Sequence, residues 1–218
     1  MGSRVNTEVW WHLTALGDSA VLLPCALLIA VWLLALPATR RSGWLWLLVV
    51  LLDAGVVAVS KILYMGWGLH PPGLDFIGLS GHSALSFLVW PVVGMLVVSG
   101  ARTRLRILMV TLGALLALAV TVSRVMLHAH SPSEALLGGL WGALLAALFF
   151  GLTRHARHLT GARSWIALSL IVPLLLVTYG QTFPSNRVLG WVAMQASGHT
   201  FIYTRGALGM PAARRLNH

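Results

Sequence analysis

The sequence predicts an all-α integral membrane protein: a bundle of six transmembrane helices with short interfacial segments at its N- and C-terminal ends. Three observations predict it. The 218 residues are 58% hydrophobic and 9% charged, with a mean hydropathy of +0.84, more apolar surface than a soluble domain of this size needs. Six apolar runs, near 20–36, 44–64, 82–99, 107–127, 134–152 and 164–180, each hold 17 to 21 residues, close to the roughly 20 that a helix needs to cross a hydrocarbon core of about 30 Å. The arginines concentrate in alternate loops between those runs, as the positive-inside rule requires of a multi-pass chain.

Taken in order, Trp10 and Trp11 precede the first run and read as indole anchors of an interfacial helix. The first run is longer than the apolar core of a signal peptide, and Arg40-Arg41 follow it as a stop-transfer flank would. The second run carries Asp53 near its middle and Lys61 near its end. The third opens on Ser80-Gly81-His82, the fourth ends at Ser123-Arg124, and His130 and Glu134 introduce the fifth. The sixth holds Pro173, which kinks a membrane helix without excluding it. Val188 to Tyr203 is too short and polar for a seventh span, so residues 182–218 are expected as a surface-lying tail of a single domain, 1–218.

Arg40 and Arg41, then Arg102, Arg104 and Arg106, then Arg154, Arg157 and Arg163 mark one side as cytoplasmic. The other loops, with Asp75 and the motif residues, face the periplasm or exterior. Arg187, Arg205, Arg214 and Arg215 fall on that outer side against the usual bias. The net charge of +10 does not point to nucleic acid, because the arginines form no groove-tracking stripe. With Cys25 as the single cysteine, there is neither a disulfide framework nor a thiolate metal site.

Polar and ionisable residues are costly inside a bilayer and mark function. His82 and His130 lie 48 residues apart, yet the chain descends through one span and returns through the next, so both reach the same face. Lys61, at the end of the second span, reaches it too. Three segments thus converge on one phosphate-sized site. Lys61 and Arg124 would supply fixed charge, the guanidinium as a planar fork for paired phosphate oxygens, with Ser123 beside it as a further phosphate contact. Backbone amides at Ser80-Gly81-His82 open a helix, where an anion is favoured. His130 is the candidate nucleophile, with Glu134 one helical turn on to hold one ring nitrogen and leave the other free. His82 is the candidate general acid.

At these residues the chain resembles the type 2 phosphatidic acid phosphatase superfamily of membrane lipid phosphatases. That family's third motif is Ser-Arg, five residues, His, three residues, Asp; here it reads Ser123-Arg124, His130 and Glu134. The second, Pro-Ser-Gly-His, reads Leu79-Ser80-Gly81-His82. The first, Lys, six residues, Arg-Pro, reads Lys61 followed by Gly68 and Leu69, with His70-Pro71 two residues later. The resemblance spans roughly residues 55 to 145. It implies a six-helix core, a phosphohistidine on His130, proton donation by His82, phosphate contacts from Lys61, Ser80, Gly81 and Arg124, and no metal or other cofactor. Without the first-motif arginine, one phosphate ligand is missing or replaced by His70.

The expected substrate is therefore a lipid phosphate (phosphatidic acid, phosphatidylglycerol phosphate or an isoprenyl pyrophosphate) at the outer leaflet of a bacterial cytoplasmic membrane. Rival readings are a phosphotransferase using the same residues and a lipid-binding or transport protein whose catalytic set has decayed. A His128–His130–Glu134 metal site is disfavoured, since His-x-His sends the two rings to different faces. A second Ser-Gly-His, Ser197-Gly198-His199, lacks a downstream Arg-His partner and reads as a decoy. Asp53 reads as a packing residue more readily than as part of a proton path.

Overall fold

The computed structural model describes residues 2–98, 102–153, 179–180 and 184–207. Among them all regular structure is helical: α1 Gly2–Ala15, α2 Ser19–Ala35, α3 Arg40–Trp67, α4 Gly81–Val97, α5 Thr103–Met126, α6 Pro132–Thr153 and α7 Ser185–Ser197. Five of the six expected runs coincide with α2 to α6. The sixth, at 164–180, lies almost wholly outside the described residues, as do Arg154, Arg157, Arg163, Pro173, Arg214 and Arg215, so the count of six is not established. Four helical stretches are long and apolar enough to cross a bilayer: Thr7–Ala35, Pro37–Trp67, Thr103–Met126 and Pro132–Thr153. Gly81–Val97 is apolar but shorter.

Side chains and a glycine set several of the helix ends. Asp18 caps α2 by accepting from the Ala20 amide at 2.8 Å, and Ser80 caps α4 by accepting from the Ser83 amide. Helix α3 ends on Gly68, whose φ of 67° is left-handed and lets its amide reach the carbonyls of Leu63 and Tyr64. At 28 residues it is about 42 Å long, longer than the hydrocarbon core of about 30 Å, and Lys61 and Tyr64 lie in its last two turns.

Helix α4 is the centre of the bundle, packed against α2, α3, α5 and α6. Lipid offers no hydrophobic drive between helices, so close backbone contact has to do the joining. Gly142 of α6 lies directly on the Ala84 carbonyl of α4, and Gly94 of α4 on the Met109 carbonyl of α5, where a methyl group would overlap the neighbouring backbone. The opposite face of α6 carries Leu136, Leu140, Leu144, Leu148 and Leu152, all exposed at a spacing of four, a stripe directed at lipid. Between α2 and α3, buried Trp46 donates its Nε1 hydrogen to the Ala26 carbonyl at 2.8 Å and meets Phe149 of α6 edge-on.

Both terminal segments lie on the outside of the bundle with one side packed against it, and residues 208–218 fall outside the described residues. Helix α1 does expose Trp11, but it packs along α5 and its end turns inward through buried Thr14 and Asp18. Helix α7 packs on α3, and the chain after it folds back across the end of that helix: the Tyr203 amide donates to the Met65 carbonyl at 2.9 Å, and the Tyr64 hydroxyl to the Thr204 carbonyl at 2.7 Å.

Candidate active site

The start of α2, the end of α3, the start of α4, the end of α5 and the start of α6 meet at one end of the bundle, opposite the turns that hold Arg40, Arg41 and Arg102. The polar residues of the spans collect there. Three of the chain's five acidic residues, Asp18, Asp75 and Glu134, and its only lysine, Lys61, belong to this cluster.

Glu134 is its hub. Wholly buried in the first turn of α6, it accepts from the Ile77 amide at 2.7 Å and the Ser131 amide at 3.2 Å. Its Oε2 lies 2.7 Å from Nδ1 of His130. A carboxylate can only accept, so that nitrogen carries the proton and Nε2 keeps its lone pair. Burial holds the His130 imidazole below the ordinary histidine range; the Glu134 hydrogen bond opposes this, and the charges of Lys61 and Arg124 reinforce it. Loop geometry completes the placement. The α5–α6 turn is drawn in by the Ala129 and His130 amides donating back to the Arg124 carbonyl, while His128 takes a φ of 52° and stays exposed.

Arg124 donates from Nη1 to the Thr14 hydroxyl at 2.8 Å. Its buried Nε has no partner among the described residues, leaving a donor ready for an oxyanion. The ammonium of Lys61 donates to Oδ1 of Asn186, at the start of α7, at 3.0 Å. His82 sits in the first turn of α4 with Nε2 at 3.4 Å from Oδ2 of Asp18, near enough to Arg124 and His130 for their charges to be felt. The second-motif backbone is fixed to the third-motif helix, since the Ser80 amide donates to the Glu134 carbonyl at 3.1 Å.

The structure thus brings Lys61, Ser80, Gly81, His82, Arg124, His130 and Glu134 to one place. Two expected phosphate ligands stand apart. The Ser123 hydroxyl is buried and donates at 2.6 Å to the Val120 carbonyl one turn back, a local helix bond that turns it away from an anion. His70 lies against the Pro71 carbonyl at 3.1 Å, edge-on to Tyr64. The second Ser-Gly-His has a structural part, with Nδ1 of His199 against the Gly66 carbonyl at 2.9 Å.

Four contributors were not foreseen. Asp18 had a signal, an acidic cap just ahead of an apolar run. Arg205 had one in its violation of the charge bias: it donates from Nη2 to both Glu134 oxygens, at 2.9 and 2.7 Å, and from Nη1 to Asp75. Thr14 and Asn186 had none. Beside the cluster an apolar cavity of about 190 Å³ opens between α2, α3, α4 and α7. Lys61 and His82 lie at its wall with Leu23, Val57, Leu85 and Leu189, and fully buried Asp53, whose carboxyl oxygens have no hydrogen-bond partner among the described residues, lines it as well.

Comparison with known proteins bears on this arrangement. No solved structure matches the chain. A Klebsiella pneumoniae protein described as an uncharacterized 22.5 kDa protein in the cps region is 37% identical over 187 residues, 84% of this chain and 90% of that one. The model of the PAP2 superfamily matches residues 64–158, the stretch that holds Ser80-Gly81-His82, Arg124, His130 and Glu134. By sequence match and by motif, the chain belongs to the type 2 phosphatidic acid phosphatase (PAP2) superfamily.

Proposed function

We propose that the protein hydrolyses a lipid phosphate monoester or pyrophosphate at the outer leaflet of a bacterial cytoplasmic membrane, through a phosphohistidine on His130. The observation that carries this reading is the His130–Glu134 pair at 2.7 Å, with its free Nε2 among Lys61, Arg124 and His82. In the first step Nε2 of His130 forms a bond to phosphorus as the bond from phosphorus to the lipid oxygen breaks, and His82 gives that oxygen its proton. In the second, water attacks phosphorus and passes a proton to His82 while the P–N bond breaks, releasing phosphate. Lys61, Arg124 and the amides at Gly81 and His82 stabilise the equatorial oxygens.

The apolar cavity beside Lys61 and His82 supports a lipid substrate, since a hydrocarbon chain can lie against Leu23, Val57 and Leu85 while its phosphate stays at the polar end. The outward orientation is supported by arginines gathered at the opposite turns. The test is phosphate release from a panel of phosphatidic acid, phosphatidylglycerol phosphate and isoprenyl pyrophosphate, with and without chelator. Wild type is expected to release phosphate from at least one, unaffected by chelator, and His130→Ala to release none while staying folded in detergent. Full activity of His130→Ala would overturn the assignment.

A further inference from the structure

One cation in this site, Arg205, comes from the segment after α7, beyond the end of the matched family region, and nothing in the first motif provides it. Where that motif carries arginine, this chain has Gly68, with φ of 67°. The face that a side chain would occupy is instead taken by Tyr203: a methyl group on Gly68 would meet its ring at 3.1 Å. Tyr203 belongs to the segment after α7, clamped to the end of α3 by its own amide on Met65, by Thr204 on the Tyr64 hydroxyl and by His199 on Gly66. Two residues beyond Tyr203 comes Arg205. Its guanidinium reaches into the site and grips both oxygens of a carboxylate that is 0% exposed, and Asp75 holds its other end.

We propose that Arg205 is the positioning residue of this site: carried in by the C-terminal segment, it locks Glu134 in place behind His130 and supplies the guanidinium that the Lys61–Leu69 stretch lacks. Its contacts are with Glu134 and Asp75, so it acts through Glu134. Nη2 reaches both oxygens while Asp75 holds Nη1, and the planar guanidinium anchored at both ends fixes the carboxylate that His130 must meet. It also draws charge from Glu134, making the carboxylate a weaker partner for a protonated His130. The charged groups felt at His130 are Lys61, Arg124 and Glu134, with His82 close by; Arg205 modulates one of them.

The inference rests on the catalytic reading of His130, and two readouts on Arg205→Gln and Arg205→Lys separate them. The first is the His130 imidazole titration, followed by nitrogen NMR of the full-length protein in detergent, which needs no turnover. In Arg205→Gln it is expected to move to higher pH by about one pH unit, and Arg205→Lys to restore part of the shift, since lysine returns the charge but has no second nitrogen to span Glu134 and Asp75 as the guanidinium does. The second is phosphate release. Arg205→Gln is expected to lose kcat roughly tenfold or more with KM little changed, and the acid limb of its pH profile to follow the titration. An unaltered His130 titration, or loss in KM alone, overturns the role of Arg205. A shifted titration in a protein whose wild type releases no phosphate leaves the positioning intact and defeats the phosphatase reading instead.

Discussion

Replacing Glu134 with glutamine probes the site at its most connected point. The carboxylate accepts hydrogen bonds from the Ile77 amide, the Ser131 amide, His130 and, on both oxygens, Arg205. The amide group is the same size but brings two donors in place of one acceptor oxygen. Its better orientation keeps oxygen toward His130, Ser131 and the shorter Arg205 contact and turns the nitrogen toward Ile77 and the other Arg205 contact, so that the Ile77 amide faces another donor. A buried donor left without an acceptor costs about 1–3 kcal/mol, so the unfolding midpoint is expected to fall. The bond to His130 survives but loses its charge, a weakening of roughly 1–1.5 kcal/mol from the difference between charged and neutral hydrogen bonds. If that difference is expressed as His130 becomes cationic at phosphorus, kcat falls about five- to tenfold. Alanine leaves His130, Ile77 and Arg205 all without their acceptor and is expected to cost about a hundredfold or more. The assay is phosphate release under saturating lipid phosphate, with folding checked by size exclusion in the same detergent. Both variants within twofold of wild type, while folded, would refute the reasoning.

Other expectations follow from the same geometry. His82→Ala should lose most of its turnover on a lipid phosphate but little on an aryl phosphate with a good leaving group, which departs without a proton; equal losses on both would remove His82 as the acid. Asp18→Asn, which removes the negative charge beside His82 while keeping a side-chain oxygen to cap α2, should show the same substrate dependence in milder form. The nucleophile must be neutral, and its proton affinity is depressed by burial. Turnover should therefore persist as pH falls past about 6.5, the ordinary histidine value, and fail only below it; a pH–kcat profile with its acid limb above 6.5 would contradict this. Gly142→Val inserts bulk against the Ala84 carbonyl and should cost about 1–3 kcal/mol of stability, read as a lower detergent melting temperature, whereas Gly55→Ala, beside which there is open space, should be nearly neutral there.

Much of this architecture is legible in the sequence because membrane helices are written locally. The run at 44–64 falls inside α3 and that at 107–127 ends one residue past α5, and the arginine loops order their ends. The motif residues converge for the same reason, since alternation of spans alone carries His82 and His130 to one face. Other contributors are tertiary and leave no local trace. Thr14 is one threonine in an N-terminal helix until its hydroxyl meets Arg124. Arg205 is an arginine on the wrong side of the charge bias until the chain after α7 folds over α3. Ser123 shows the converse: the sequence marks it as a phosphate ligand, but its hydroxyl donates to the helix carbonyl of Val120 one turn back. Low hydropathy places the segment after α7 at the surface but cannot register the Tyr203, Tyr64 and His199 contacts that fasten it to the end of α3.

The most direct measurement is rapid-quench labelling with a lipid phosphate carrying radioactive phosphorus. The account expects an acid-labile, base-stable label that maps to His130, appears before free phosphate, and is lost in His130→Ala. Steady turnover with no protein-bound phosphorus, or a label on another residue, would contradict it.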